Sequence, residues 1–406
     1  MYHLFERFGI ELEYMIVNRD TFAVMPVADK VIEKACGEIC NEITRGNVSW
    51  SNELALHVIE FKTSSPVFSF TNLGDHFFEA ISEVNSILKP MGGALMGGPM
   101  HPFMDPVKEI RLWPHDYNPI YEAFNRIFSC KGHGWANLQS MHINLPFAND
   151  EEFARLHAAI RLVLPIIPAL SAGSPIVEGK KTGFHDTRME VYRTNSSKIP
   201  SITGDVVPEP VFSHSEYQDK ILKKIYSDLS PFDPEGVLQE EWVNARGAIA
   251  RFERNTIEIR VIDVQENPCV DVAIAAVVTG AVKLFADEAL CTLQTQKKWD
   301  NAPLKKIFLD TIKYGENAVV DNREYLNMFG IVSDSCEVRN VWESIFKKLA
   351  KQEIWTLPYI PYFSSVAQDS LATRILREYD TGTEENRMSQ ICRKLCESLE
   401  HDFFFW

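Results

Sequence analysis

The chain has 406 residues, of which 45% are hydrophobic and 24% charged, and this balance predicts a globular protein with one large core or two ordinary ones. Its formal net charge of −15 argues against a general nucleic-acid or anionic-membrane surface, because either would need clustered positive charge. A small local group of Arg, Lys and divalent metal would still be enough to hold phosphate groups.

The cellular location is predicted from three features of the sequence. The segment Met1–Arg7 has no basic stretch followed by an apolar core, so we expect no secretory signal and a cytoplasmic protein. Eight cysteines are scattered without a C-x-x-C pair, which favours reduced thiols without a metal or redox role. The most apolar long segment, Val270–Ala286, contains Asp271 and Lys283, and we expect a buried helix there rather than a membrane span.

The first two thirds of the chain alternate short strand-like runs with amphipathic helices. Alternation of apolar and polar residues predicts strands at 8–17, 54–64, 139–147, 248–252 and 256–263. Helical spacing of apolar residues predicts helices at 29–40, 73–88, 119–130 and 150–170. The stretches 91–105, 176–185 and 195–212 are predicted loops.

The last third of the chain has almost no strand signal. Helices are predicted near 270–290, 303–316, 338–352, 366–378 and 384–401. No linker or repeat separates the two parts, so we expect one catalytic unit from 1 to 406, with the site in 1–265 and a mostly helical part, 266–406, packed on it. The terminal Phe403–Trp406 is expected to pack into a groove of the core rather than to dock a partner.

Acidic residues recur at every second position of the first predicted strand. In Gly9–Tyr14, Glu11 and Glu13 share one face of the strand, while the apolar residues point to the other face. Two neighbouring carboxylates repel each other unless a cation lies between them. The alternative is an exposed sheet face that carries two solvated acids.

Two further segments repeat this combination of acid and strand. Glu60 lies in an otherwise apolar strand, where an unpaired charge is costly, and Glu53 must lie on the preceding turn if both acids serve one site. In the last predicted strand, Glu258 and Arg260 share a face. A surface salt bridge between them is the alternative.

Candidate phosphate contacts lie in the middle of the chain. His142 and Asn144 share one strand face, although a lone strand histidine is more often a core residue. The loop that contains Lys180 and Thr182 is flexible, basic and hydroxyl-bearing, and it leads to Arg188. This loop suits contact with the phosphates of a nucleotide, although the chain has no G-x-x-x-x-G-K-[ST] sequence.

Five motifs follow one another along residues 8–285. They are G-I-E-x-E, then I-E-F-K-T-S-S-P, then M-H-x-N, then L-S-A-x-S-P with G-x-x-T-G and T-R, and finally T-I-E-I-R-V-x-D. The series resembles the glutamate–cysteine ligase and carboxylate–amine ligase family. The resemblance implies an α+β fold of the glutamine synthetase superfamily, in which a curved antiparallel sheet holds ATP and metals on its concave face and helices lie outside.

The resemblance also implies roles for individual residues. Arg188 and Arg260 are expected to hold the transferred phosphate and the acidic substrate, and His142 to face a metal and phosphate. It leaves open which of Arg246, Arg251 and Arg254 approaches the site. The expected magnesium ligands are Glu11, Glu13, Glu53, Glu60 and Glu258.

The function implied by the resemblance is ATP-dependent and Mg²⁺-dependent ligation of an amine, such as cysteine, to the side-chain carboxylate of an acidic amino acid, such as glutamate. No nucleic-acid or membrane partner is expected, and a homo-oligomer is left open. Two alternatives stand beside it: a metal-dependent hydrolase that uses much the same ligands, and a ligand-binding relative that has lost catalysis.

Overall fold

The computed structural model describes residues 1–352, 368–383 and 386–401. The segment Phe403–Trp406, with its predicted packing, lies outside the described residues. The strands are β1 (Gly9–Asn18), β2 (Glu42–Arg45), β3 (Val48–Asn52), β4 (Val58–Thr63), β5 (Gly93–Met96), β6 (Ser140–Pro146), β7 (Ile176–Val177), β8 (Lys180–Lys181), β9 (Ala248–Arg251), β10 (Thr256–Asp263), β11 (Val319–Val320) and β12 (Cys336–Glu337).

Helices fill the connections between these strands and the last third of the chain. They are α1 (Ala28–Cys36), α2 (Leu73–Leu88), α3 (Pro106–Glu109), α4 (Asn118–Phe128), α5 (His133–Ala136), α6 (Asp150–Val163), α7 (Pro168–Ser171), α8 (Thr187–Asn195), α9 (His214–Tyr217), α10 (Lys223–Leu229), α11 (Pro268–Ala286), α12 (Leu293–Lys297), α13 (Asn301–Tyr314), α14 (Arg323–Met328), α15 (Val338–Leu349), α16 (Leu371–Thr381) and α17 (Arg387–His401). Single 3₁₀ turns lie at Lys89–Met91, Leu164–Ile166, Glu241–Val243, Gly315–Asn317 and Ala350–Gln352, and a π-helical turn at Gln218–Leu222.

One antiparallel sheet forms the centre of the molecule. Its strand order is β2-β3-β4-β1-β6-β10-β9, and β5 pairs with the second half of β1, beyond β6. The predicted α+β class, with an antiparallel sheet, outer helices and a helical last third, is confirmed.

The sheet has one apolar face and one polar face, as the alternation in β1 predicts. Ile10, Leu12 and Tyr14 are fully buried on the apolar face. There α11 packs between α2 and α6 and contacts β1 and β6. The Tyr14 hydroxyl donates a 2.8 Å hydrogen bond to Asp271 and so ties β1 to α11. The polar side chains lie on the opposite face of the sheet, away from these helices.

Helix α11 is the predicted buried helix. Among the described residues, Pro268–Ala286 alone is long and apolar enough to cross a bilayer by length and composition. In the structure, 94% of its most apolar window is buried inside the protein. The apolar composition is therefore accounted for by the core.

The last two described helices pack against the sheet-containing part. Helix α17 contacts β5 and α2. Arg374 of α16 forms an ion pair with Glu266, just after β10, and both side chains are almost fully buried. The Tyr379 hydroxyl donates to the Gly179 carbonyl at 3.2 Å. Residues 366 and 367 of the predicted helix 366–378 lie outside the described residues.

Several predicted boundaries are wrong. The predicted loop 91–105 contains β5, and the predicted loop 176–185 contains the β7–β8 hairpin. The predicted helix 29–40 ends at Cys36, because Gly37 adopts φ 89° and closes the helix. The predicted helix 150–170 is interrupted between α6 and α7 by a 3₁₀ turn that contains Pro165. The β2–β3 hairpin and helices α8 to α10 were not predicted.

Candidate active site

The strand register brings the polar side chains of β1, β4 and β6 together. Glu11 lies opposite Lys62 of β4 on one side and opposite His142 of β6 on the other. Glu13 lies opposite Glu60. Directly opposed residues of antiparallel strands have Cβ atoms roughly 5 Å apart, so their side chains meet. Like charges are thus placed side by side at Glu13 and Glu60.

Glu13, Glu53 and Glu60 form a compact group, here called the acid cluster. Each offers a carboxylate oxygen, and the three oxygens lie within 4.8 Å of one another. Glu53 lies on the turn between β3 and β4, as predicted. Glu13 accepts a 2.7 Å hydrogen bond from the Ser140 backbone amide, and Glu60 accepts one at 2.7 Å from the Ser51 hydroxyl. These bonds fix the two strand acids in position.

The acid cluster has a strong electrostatic preference for a cation. Burial and the charges of Glu13 and Glu60 raise the pKa of Glu53 well above its usual value. Burial and the charge of Glu11 raise the pKa of Glu60, although Lys62 opposes this. Crowded carboxylate oxygens are the ligands that Mg²⁺ and Ca²⁺ prefer, so the donor set fits a hard divalent cation.

The other two predicted metal ligands, Glu11 and Glu258, belong to a second group around a histidine. His142 Nδ1 lies 2.9 Å from Glu11 Oε2 and 3.7 Å from Glu258 Oε1. Glu258 also lies 2.9 Å from Arg260 Nε and 3.6 Å from Arg251 Nη1. The five predicted acids therefore divide into an acid cluster and a pair of acids neutralised by cations.

The hydrogen bonds of His142 favour its charged form. The Ser140 hydroxyl donates to Glu13 at 3.1 Å, so its oxygen accepts from His142 Nε2 at 2.9 Å, while Nδ1 donates to Glu11. Burial lowers the pKa of His142, but the bond to Glu11 and the charges of Glu258 and Glu13 raise it more, and the net pKa is raised. The raised pKa favours protonation of this histidine beside the acid cluster.

The predicted residues Arg188, Arg260 and Asn144 also lie beside these two groups of acids. The Arg188 Nε donates to Asp263, which fixes an almost fully buried guanidinium at the wall of the site. Arg260 is the more accessible, with a side chain 23% exposed. Asn144 Nδ2 donates to Glu11 at 2.9 Å. A bidentate contact to phosphate or carboxylate is available to Arg260 more readily than to Arg188.

Lys180 and Thr182 are not brought into the site. Lys180 is exposed in the β7–β8 hairpin, and the Thr182 hydroxyl is used within its own loop, 2.7 Å from the Thr187 hydroxyl. Neither lines the cavities described below. Lys181 of the hairpin pairs with Asp380 of α16, and the contact of this loop with a nucleotide stays a prediction.

Two cavities meet at the acid cluster. The first, of about 870 Å³, is mainly polar, and its walls include Lys62, Arg251 and Arg254. The second, of about 480 Å³, lies between the cluster and α4. Both are lined by Glu13, Glu53, His142 and Arg260.

The lining of the two cavities distinguishes the three arginines that precede β10. Arg251 and Arg254 line the first cavity, whereas Arg246 is buried in an ion pair with Glu209 and lines neither. Arg251 also faces Glu258, so it is the nearer of the two to the histidine group.

Comparison with known proteins identifies the family. The model of glutamate–cysteine ligase family 2 matches residues 7–329. The chain belongs to this family.

Two relatives have low to moderate sequence identity but match about 70% of this chain. An uncharacterized protein of Archaeoglobus fulgidus is 38% identical over 280 residues, which are 69% of this chain and 75% of that protein. A protein of Nocardioides sp. with the name "Putative glutamate--cysteine ligase 2-1" is 25% identical over 285 residues, 70% of this chain and 69% of its own.

Solved structures share the fold. A glutamate–cysteine ligase of Francisella tularensis in complex with AMP has a TM-score of 0.63 at 11% identity, covering 97% of this chain and 89% of that chain. A bifunctional glutathione synthetase of Pasteurella multocida has a TM-score of 0.57 at 14% identity, covering 98% of this chain and 52% of that longer chain. Membership of the family indicates a ligase, and the two solved structures show that the fold is shared.

Sequence reasoning missed part of the site. Lys62 was within a recognised motif, and its position two residues after Glu60 could have placed it on the same face. The aromatic residues Phe124, Trp135 and Trp242 line the second cavity from three separate segments. No periodicity links those segments, so the sequence gives no signal for them.

Proposed function

We propose that this member of glutamate–cysteine ligase family 2 is an ATP-dependent and Mg²⁺-dependent ligase that forms a γ-glutamyl amide through an acyl phosphate. One observation carries the proposal: the acid cluster lies where a large polar cavity meets a smaller one, with His142 and Arg260 at the same junction. Two substrates could therefore meet beside one cation-binding group. The AMP complex of the Francisella ligase supports a nucleotide in a fold of this kind.

The proposed reaction needs ATP because a carboxylate is a poor electrophile. The side-chain carboxylate of glutamate attacks the γ-phosphorus, ADP leaves, and an acyl phosphate forms. The amine nitrogen then attacks the acyl carbon, the carbon–oxygen bond to phosphate breaks, and phosphate leaves with the electron pair. The proton lost by the amine passes to solvent. Catalysis of such transfers is mostly positioning and electrostatic stabilisation, so no protein nucleophile is required.

The chain's residues divide this work between the two cavities. The first cavity is large and has Lys62, Arg251 and Arg254 in its walls, which suits a nucleotide polyphosphate. The acid cluster would hold Mg²⁺, which when bound supplies positive charge for the phosphate oxygens. Arg260 lines both cavities and would orient the transferred group, because its planar fork matches phosphate and carboxylate.

The acid and the amine substrates are assigned with different support. Glutamate is the proposed acid, because family membership favours it and Arg260 at the junction can pair with a carboxylate. Cysteine is the amine that the family name suggests and is the reference amine to be tested.

Oxygen-18 transfer tests the proposal directly. With ATP, Mg²⁺, hydroxylamine as the acceptor and glutamate labelled in the side-chain carboxylate, we expect one labelled oxygen in each released phosphate, measured by mass spectrometry. The Glu53→Gln variant should lose this transfer, while the matched change Glu79→Gln, at an exposed position of α2, should keep it. Release of unlabelled phosphate at the same rate with or without glutamate would contradict the ligase and favour simple ATP hydrolysis.

A further inference from the structure

The second cavity has an aromatic wall, defined here as Tyr117, Tyr121, Phe124, Trp135 and Trp242. The Phe124 ring centre lies 5.1 Å from that of Trp135 and 6.0 Å from that of Trp242. The wall is built from α4 with the preceding residue Tyr117, from α5 and from the 3₁₀ turn Glu241–Val243. Three separate segments thus present rings to one cavity.

The wall is held in place before any ligand binds. Trp135 Nε1 donates to the Asn195 carbonyl at 3.3 Å, and Asn195 Nδ2 donates to the Gly134 carbonyl at 2.9 Å. A Cβ at Gly134 would lie 2.8 Å from Asn195 Cβ, so only glycine allows α5 to approach α8 this closely. The Tyr121 hydroxyl accepts from Asn52 Nδ2 at 3.1 Å. A fixed surface of this kind binds with little ordering cost.

The aromatic wall leaves apolar surface accessible inside a concave site. None of its five side chains is fully buried, and Tyr117 is 53% exposed. Concave apolar surface with a few convergent polar groups is the usual form of a small-molecule site. A cavity of about 480 Å³ is larger than a one-carbon thiol side chain such as that of cysteine can fill.

The polar groups of this cavity lie at one place. Glu13, Glu53, His142 and Arg260 line it where it joins the first cavity. A ligand with a charged head and an apolar body would therefore place its head at the acid cluster and its body against the aromatic wall.

We propose that the amine substrate carries an aromatic or bulky apolar substituent, which packs against the aromatic wall. This inference rests on the proposed ligase function. The amino group lies at the junction, where its nitrogen forms the bond to the acyl carbon as the carbon–oxygen bond to phosphate breaks. The released phosphate takes the electron pair, and solvent takes the proton.

An amine competition with hydroxylamine as a reference tests this specificity. With ATP, Mg²⁺ and glutamate, hydroxylamine traps an acyl phosphate as the hydroxamate whatever the preferred amine. We expect kcat/KM for L-phenylalanine or phenethylamine to exceed that for glycine and cysteine by at least ~30-fold, since each well-packed carbon group contributes roughly 10-fold or more. Comparing the two aromatic compounds shows whether the amine must carry a carboxylate.

The outcomes separate this inference from the proposed function. If hydroxamate forms but kcat/KM for glycine or cysteine equals or exceeds that for the aromatic amines, the aromatic preference is overturned and the proposed ligase function is not. Absence of both hydroxamate and oxygen-18 transfer would overturn the ligase itself.

Variants of the wall give a second measurement. Phe124→Ala and Tyr117→Ala should each lower the ratio of kcat/KM for the aromatic amine to that for glycine by ~10-fold, and Phe124→Leu should restore part of it. Tyr117 is 53% exposed, so its loss should not prevent folding. Phe232→Ala, a matched loss of an exposed ring outside both cavities, should leave the ratio unchanged. Wall variants that leave the ratio at the parent value would contradict the proposal.

Discussion

The two groups of acids should respond oppositely when one charge is removed from the metal-free protein. Glu258 is 4% exposed and lies 2.9 Å from Arg260 Nε and 3.6 Å from Arg251 Nη1. Glu53 has the carboxylates of Glu13 and Glu60 within 4.8 Å. Changing Glu258 to Gln removes the carboxylate next to Arg260 and leaves Arg251 with Glu253, whereas changing Glu53 to Gln removes repulsion. We therefore expect Glu258→Gln to lower stability and Glu53→Gln to raise it.

The magnitudes follow from burial and distance. Breaking a buried ion pair costs about 3–5 kcal/mol. Two unit charges 4.8 Å apart repel by about 3 kcal/mol at an effective dielectric constant of ~20. Protonation of Glu53 reduces this repulsion, so removing the Glu53 charge should raise the free energy of unfolding by ~1–3 kcal/mol at pH 7.5. With an unfolding entropy of roughly 2.1 cal/mol/K per residue over 406 residues, Tm should fall by ~4–6 °C for Glu258→Gln and rise by ~1–4 °C for Glu53→Gln.

The pH dependence gives the sign of the Glu53 effect. Because the folded-state pKa of Glu53 is raised, its ionisation reduces stability as pH rises from the unfolded carboxyl pKa of about 4.3 through the folded value. The gain from Glu53→Gln should therefore vanish near pH 4 and grow with pH. Below the unfolded pKa both states carry the proton, so parent and variant should then melt alike.

The assay is a set of thermal melts in a chelating buffer, repeated with Mg²⁺ and ATP. A ligand at 100 times its Kd stabilises the parent by about 2.7 kcal/mol, and Glu53→Gln should lose most of that gain. Equal shifts of Tm in the same direction for both variants, without ligand at pH 7.5, would refute the division of the acids into two groups.

Three further outcomes are expected. Arg260→Lys should lower kcat by ~100-fold at saturating ATP with an unchanged circular dichroism spectrum, because one ammonium cannot reproduce a bidentate contact; near-normal turnover would place Arg260 outside the reaction. Lys62→Met should raise KM for ATP by ~10-fold, whereas Lys180→Met should leave it unchanged, because Lys62 lines the first cavity and Lys180 does not. Steady-state kinetics with the reverse result would support the hairpin as the nucleotide contact. Arg374→Met should lower the free energy of unfolding by about 3–5 kcal/mol in urea titration, because it leaves the Glu266 charge buried alone; an unchanged midpoint would contradict the importance of this ion pair for docking α16.

The family and most strands of the sheet could be read from the sequence, because both depend on local patterns. Alternation in Gly9–Tyr14 placed Glu11 and Glu13 on one face, and the structure has them there. Spacing also required Glu53 to lie on a turn if it was to meet Glu60, and it does. Two helix boundaries failed where Gly37 or Pro165 ended a helix inside a run of otherwise helical residues.

Tertiary structure decided which of the polar residues meet. Glu11, Glu13 and Glu258 were all predicted to bind magnesium. Register instead places Glu13 against Glu60 and Glu11 against His142, and the arginines then neutralise Glu258. Register is set by burial of the whole apolar face, which no single strand records.

The sequence by itself therefore determined the family, the fold class and the face on which each strand carries its acids, since these depend on residue order and a two-residue period. Only the tertiary structure separated the acid cluster from the histidine group, placed Lys180 outside the lining of both cavities and assembled the aromatic wall. Those contacts join residues from separate segments of the chain, such as Glu13 with Glu53 and Trp135 with Trp242. Their distances are fixed by long-range packing, which leaves no periodic trace in the sequence.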